Sequence, residues 1–160
     1  MFFITASCGL RLGEACGLRV NQFNFKEKYL IVNGFVQDDY YRTDYNKAAT
    51  SEDKKYRIVP LPNETINKVL IYIAKHKLDY NDYLFMTENG NFITQDHLRK
   101  RFTKILKTLD IYDGRRKLVP HSLRFTYVTR MRRSCTVDEV RQIVGHNSIK
   151  MTDYYTRPNL

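Results

Sequence analysis

The stretch PHSLRFT, residues 120–126, sets a histidine and an arginine three positions apart directly after a proline. Proline suits the start of a helix, so His121 and Arg124 project from one face of its first turn and can reach the same group. Taken alone, the pair could equally be a cap or a satisfied core histidine. Its surroundings make it informative. Between His97 and Arg133 stand twelve Lys or Arg against two acids, interleaved with Phe102, Tyr112, Phe125 and Tyr127. Such a basic, aromatic block fits a polyanion partner, because neutralising phosphates releases counterions and drives binding.

Two other segments combine Arg or His with small residues where packing does not demand them. In CGLRLGEACGL, residues 8–18, Arg11 follows Gly9 and Leu10 at a helix break, and Glu14 can brace either the turn or Arg11. In VGHNSIKMTDYYT, residues 144–156, His146 follows Gly145 at a helix end and precedes the adjacent pair Tyr154 and Tyr155. A tyrosine phenol has a pKa of about 10, so it attacks only with help. Arginine supplies paired donors and a permanent charge for nonbridging phosphate oxygens, histidine moves protons, and tyrosine can form a covalent link. Together the three segments hold what attack on a phosphodiester needs.

Outward from these segments the chain reads as α+β, mostly helical, with one small antiparallel sheet. FFITASCGL (2–10) reads as the end of an apolar helix stopped at Gly9, and RLGEACGLRV (11–20) as a short helix ending near Gly17. YLIVNGFVQ (29–37) and YRIVPLP (56–62) read as strands, joined by the polar stretch 38–55 as a long, mobile hairpin. In PNETINKVLIYIAKHK (62–77), Asn63 is the expected cap, with Ile66, Val69, Leu70 and Ile73 on one face. DYLFMTENGNFIT (82–94) is an extended piece with an Asn-Gly turn. A helix from Thr94 or Gln95 carries Leu98, Phe102, Ile105, Leu106 and Leu109. TVDEVRQIVGH (136–146) is a capped helix with Thr136 and Glu139 as a capping box, and SIKMTDYYT is the last helix candidate.

At 160 residues and a net charge of +10, one compact domain with an anionic partner is the expectation. The three cysteines, Cys8, Cys16 and Cys135, show neither a disulfide framework nor zinc-ligand spacing, and no apolar run approaches the roughly 20 residues that span a bilayer. A reducing, cytoplasmic setting fits.

Ordered in one chain, these segments resemble the tyrosine recombinase, or phage integrase, family over essentially the full length. CGLRLGE looks like its first arginine box, PHSLRFT like its HxxR box, and VGHNSIKMTDYYT like its GH box and terminal tyrosine. The resemblance implies the catalytic-domain fold of DNA breaking and rejoining enzymes across residues 1–160, with an N-terminal DNA-clamping domain missing. It implies that Arg11, Arg124 and His146 clamp the scissile phosphate and His121 assists proton transfer. The nucleophile stands nine residues after the GH-box histidine, which gives Tyr155, and Tyr154, about 100° round the same helix, is then a packing residue. The family's hairpin lysine falls on Ser51 by the usual spacing, so Lys47 is the candidate in a longer hairpin and Lys54 the fallback. Phe125 replaces a histidine often found after the HxxR arginine, which suggests aromatic packing there.

The resemblance also implies the reaction: cleavage and rejoining of double-stranded DNA through a 3′-phosphotyrosyl intermediate, with no metal, cofactor or ATP. Arg99, Arg101, Lys104, Arg115, Arg116 and Lys117 are the expected DNA-binding residues, and a homotetramer on paired DNA sites, monomeric without DNA, the expected assembly. The alternatives are a type IB topoisomerase-like enzyme that religates the same strand, a regulator that keeps the fold without cleavage, and a basic interaction domain.

Overall fold

A computed structural model describes residues 1–37, 41–45, 56–112, 118–146 and the single positions 148, 150 and 152. Lys47, Lys54, Arg115, Arg116, Lys117, Tyr154 and Tyr155 lie outside the described residues.

Helix α1 (Phe2–Cys8) ends where Gly9 turns left-handed at φ 62°, and α2 (Leu12–Cys16) begins at once with Arg11 as its extended N-cap. Strands β1 (Phe23–Asn24), β2 (Tyr29–Val32) and β5 (Arg57–Pro60) form an antiparallel sheet in the order β1-β2-β5, with Leu30 opposite Val59 and Val32 opposite Arg57. Period-two alternation turns Leu30, Val32 and Val59 into the core and leaves Ile58 half exposed. The same alternation turns Arg57 inward, where it is almost fully buried.

The single sheet expected from sequence is joined by a second. Strands β3 (Phe35–Gln37) and β4 (Tyr41–Thr43) pair as a separate antiparallel hairpin, and β4 falls inside the stretch expected to be all loop. Polar residues can pair here because their groups are satisfied. Thr43 is buried and its hydroxyl donates to the carbonyls of Phe35 and Tyr45. Arg42 Nε donates to Gly17 O at 2.8 Å, and its guanidinium pairs with Asp44.

Helix α3 (Asn63–His76) buries Thr65, Ile66 and Val69, whereas Leu70, next to Val69 on the apolar side, is exposed. Asn63 does not cap it. Pro62 occupies that position, and its carbonyl accepts the first helical bond from Ile66 N, so Asn63 is already inside the helix. Helix α4 (Gln95–Thr108) is capped by Thr94, whose hydroxyl accepts from His97 N at 3.2 Å. It buries Leu98, Phe102 and Leu106 and leaves Ile105 and Leu109 exposed. Helix α5 (His121–Met131) follows Pro120, and α6 (Val137–Val144) carries the expected Thr136 and Glu139 capping box and stops at left-handed Gly145. Among the described residues no helix is long and apolar enough to cross a membrane.

The main core joins α1, α2, the three-stranded sheet and α3. A smaller cluster of Tyr127, Val128, Val140 and Val144 fastens α5 to α6. Helix α1 meets α5 through Gly9, where a Cβ would come within 2.3 Å of the Tyr127 ring. Both the positive φ and this contact exclude a side chain. Gly9→Ala is therefore expected to destabilise the protein by about 2–4 kcal/mol, from the left-handed penalty plus overpacking. Urea unfolding midpoints compare it with the wild type.

Candidate active site

The site is assembled at the end of α6. The last carbonyls of a helix have no partner inside it and carry its negative dipole end. Here three successive carbonyls each accept from a different arginine. Arg57 Nε donates to Ile143 O at 2.9 Å, an Arg124 terminal nitrogen to Val144 O at 2.6 Å, and an Arg11 terminal nitrogen to Gly145 O at 2.6 Å. Arg124 also donates to Gly9 O, so the turn that ends α1 holds it from the opposite side. It is only 1% exposed, fixed in place before any ligand arrives.

Glu14 sits among these guanidinium groups, fully buried. Its carboxylate receives both terminal nitrogens of Arg57, at 2.6 and 2.7 Å, and one from Arg11 at 3.0 Å. It also accepts from the Arg11 backbone N–H at 2.7 Å, closing the first turn of α2. Glu14 thus braces both the turn and Arg11, the two tasks open to it by spacing. Burial alone would raise the Glu14 carboxyl, but the charges of Arg57, Arg11 and Arg124 outweigh it and hold the pKa at about 2.

His146 directly follows the helix end and is 4% exposed. Its Nδ1 lies 3.0 Å from the hydroxyl of Thr152, which is also buried. Burial, then the charges of Arg124, Arg11 and Arg57, lower His146 to about 4, so its ring is neutral at pH 7. His121 stands at the exposed start of α5. Partial burial of its ring and the charges of Arg124 and Arg11 lower its pKa as well.

Arg11, Glu14 and His121 line a cavity of about 490 Å³ whose other walls include Phe35, Val36, Gln95, Arg99 and Pro120. Gln95 Nε2 donates to Val36 O at 2.9 Å, and its carbonyl accepts from Arg99 at 3.2 Å. Arg99 also opens a neighbouring groove of about 450 Å³ along α4, with Lys100, Thr103, Lys104 and Lys107. Lys100 there is paired with Asp96 at 2.7 Å. Arg101 leaves this face for the flank beside Met1 and Tyr72, where its charge acts on both groups. Among the described residues no group of three or more His, Cys, Asp or Glu is placed to hold a metal ion.

The structure therefore brings Arg11, His121, Arg124 and His146 together, sets Arg99 and Lys104 on an adjoining track, and separates Arg101 from them. Sequence reading missed Arg57 as a member of the cluster and Thr152 as the partner of His146. An arginine alternating with inward Val59 on β5 was the available signal for the first. Phe125 lies on α5 and is 37% exposed.

Residues 1–160 match the sequence profile of the phage integrase family. The chain belongs to that family. Among relatives, the integrase-family chain is 28% identical over 150 residues to the tyrosine recombinase XerA of Pyrococcus furiosus, covering 93% of this chain and 46% of the relative. It is 26% identical over 163 residues to the tyrosine recombinase XerC of Thermodesulfovibrio yellowstonii, covering 96% and 48%. The chain thus spans about half the length of these relatives. Among solved structures, it resembles the XerA recombinase with a TM-score of 0.74 at 25% identity, over 98% of this chain and 50% of that one. It shares the fold of the Tn1549 transposon integrase in complex with circular intermediate DNA, with a TM-score of 0.82 at 22% identity, over 99% and 55%. The mixed helical architecture with small antiparallel sheets is the fold of this integrase family.

The electrostatics of the integrase-family site set its response to acid. Glu14 has a folded pKa of about 2 against an ordinary 4.5. Its contribution is complete above pH 4.5 and is lost as pH falls toward 2, on the order of 3 kcal/mol by linkage. Glu14→Gln leaves the Arg57 charge buried without its carboxylate and is expected to cost about 3–5 kcal/mol at neutral pH. Urea unfolding from pH 6 down to pH 2.5 should show a steep loss of wild-type stability that is shallower in the variant.

Proposed function

We propose that residues 1–160 are the catalytic domain of a site-specific DNA recombinase that cleaves and rejoins double-stranded DNA through a covalent tyrosine intermediate, working with an N-terminal DNA-clamping domain. The observation that carries this reading is the arginine cluster. Arg11, Arg57 and Arg124 bring three positive charges, while Glu14 and the end of α6 return about one and a half negative ones. The surplus lies beside Arg11, which is both the most exposed of the three and a wall of the cavity. A phosphodiester carries a single negative charge that offsets most of it, and a fixed guanidinium array stabilises the added charge of a pentacoordinate phosphorus.

In this reading Arg11, Arg124 and His146 clamp the scissile phosphate. The Tyr155 phenol oxygen attacks phosphorus, His121 assists removal of the phenol proton, and the P–O5′ bond breaks as Lys47 gives a proton to the leaving oxygen. The products are a 3′-phosphotyrosyl link and a free 5′-hydroxyl. Because a phosphodiester is exchanged for another phosphodiester, a 5′-hydroxyl from a second strand reverses the step without ATP. DNA as the partner agrees with the complexes solved for the Tn1549 integrase, and Arg99, Lys104, Arg115, Arg116 and Lys117 are proposed to carry the phosphates flanking the cut, without Arg101, which stands on another flank. Pairing of cuts calls for a homotetramer on two duplexes, formed from monomers on DNA in a cytoplasmic setting.

Nicked duplexes of randomised sequence, from which the short cleaved strand diffuses away, test this with the full-length protein. A detergent-resistant protein–DNA adduct is expected from the wild type and from Tyr154→Phe, and none from Tyr155→Phe. Arg11→Ala should slow its formation by about 10²–10³-fold, the scale for removing one donor to a developing oxyanion. Lys47→Ala should slow it while Lys54→Ala does not. No adduct from the wild type, or an adduct from Tyr155→Phe, would overturn the proposal.

A further inference from the structure

The hydroxyl of Thr152 stands apart from those of several other helical threonines. Those of Thr103, Thr108 and Thr126 turn back to the carbonyl four residues earlier, at 3.0–3.1 Å, the usual way a helix absorbs a hydroxyl. That of Thr152 meets the imidazole Nδ1 of His146 at 3.0 Å, with Thr152 completely buried and His146 nearly so. A neutral imidazole carries one N–H, so the bond at Nδ1 decides what Nε2 can do.

We propose that Thr152 is a positioning residue that sets the tautomer of His146: its O–H donates to Nδ1, so the ring proton is on Nε2 and is available to a nonbridging phosphate oxygen. The opposite arrangement would turn a bare Nε2 lone pair toward an anion, which repels it. The direction of the bond therefore rests on the phosphodiester reading above. The ring remains neutral at pH 7 because burial and three guanidinium groups disfavour a second proton, so the bond at Nδ1 bears directly on the choice between the tautomers. Threonine suits the task, since its branched Cβ restricts χ1 and holds the hydroxyl in one direction. Thr152 also stands three residues before Tyr155, so one short stretch of chain supplies the proposed nucleophile and the control of His146.

Two measurements on the full-length protein test the inference. In long-range ¹H–¹⁵N spectra of ¹⁵N-histidine-labelled protein at pH 7, with His146 assigned by its loss in His146→Gln, the wild type is expected to show the Nε2–H tautomer. Thr152→Val should show a mixture and Thr152→Ser the wild-type form. In single-turnover cleavage, Thr152→Val should be about tenfold slower with DNA affinity unchanged, the scale of one net hydrogen bond, and Thr152→Ser should recover most of the rate. A wild-type Nδ1–H tautomer, or a Thr152→Val spectrum identical to the wild type, would overturn the role given to Thr152. Absence of any adduct from the wild type would overturn the phosphodiester reading and the task given to Nε2–H, while the spectra would still decide whether Thr152 places the proton.

Discussion

Three arginines can share one site only if something binds them more strongly than they repel one another. The C-terminal end of α6 does so with three consecutive carbonyls, and Glu14 does so with one buried carboxylate. Neither is sufficient alone. A helix end offers about half a negative charge, and one carboxylate offers a whole one, so the cluster stays positive on the side where Arg11 meets the cavity. Gly145 belongs to the same device: its positive φ ends α6 while its carbonyl accepts from Arg11, and a Cβ there would come within 3.0 Å of the Arg57 side chain.

This arrangement ties distant parts of the chain to one another. Arg11 comes from the start of α2, Arg57 from β5, Arg124 from the first turn of α5, and their shared acceptors from α6. Two of them are also held by bonds to neighbouring turns: Arg11 by the Glu14 bond to its backbone N–H, Arg124 by the carbonyl of Gly9. Buried charge networks are poor contributors to net stability and strong sources of fixed geometry when every member is paired. The cluster therefore exists preformed, with its guanidinium groups held by acceptors that the chain itself supplies. For the reaction proposed above, such fixed groups are the condition under which electrostatic stabilisation of a transition state is most effective.

How far this was legible in sequence depends on which rules are local. The boxes around Arg11, His121, Arg124 and His146 could be read because capping, helix starts and left-handed glycines depend on neighbours a few residues away. The Thr136 and Glu139 capping box is the clearest case, and the i, i+3 brace between Arg11 and Glu14 another. The role of Arg57 could not be read so directly, because the strand pattern says only that it faces inward, whereas its partners lie 43 and 86 residues away. The β3–β4 hairpin was missed for a related reason. Its second strand is polar, and what allows Thr43 and Arg42 to be there is a set of carbonyls supplied by Phe35, Tyr45 and Gly17. Leu70 and Ile105 are exposed although each stands among its helix's apolar positions, since an apolar side chain is no guarantee of burial when a helix keeps much of its circumference in solvent.

If this arginine cluster holds a DNA phosphodiester for Tyr155, the trapped adduct carries the proof in one covalent bond. Mass mapping of the DNA-linked peptide, after the adduct is trimmed by nuclease and protease, locates that bond. A nucleotide joined through its 3′-phosphate to Tyr155 is expected. A nucleotide on Tyr154 or on any other residue, or one joined through its 5′-phosphate, would contradict the role given to the cluster.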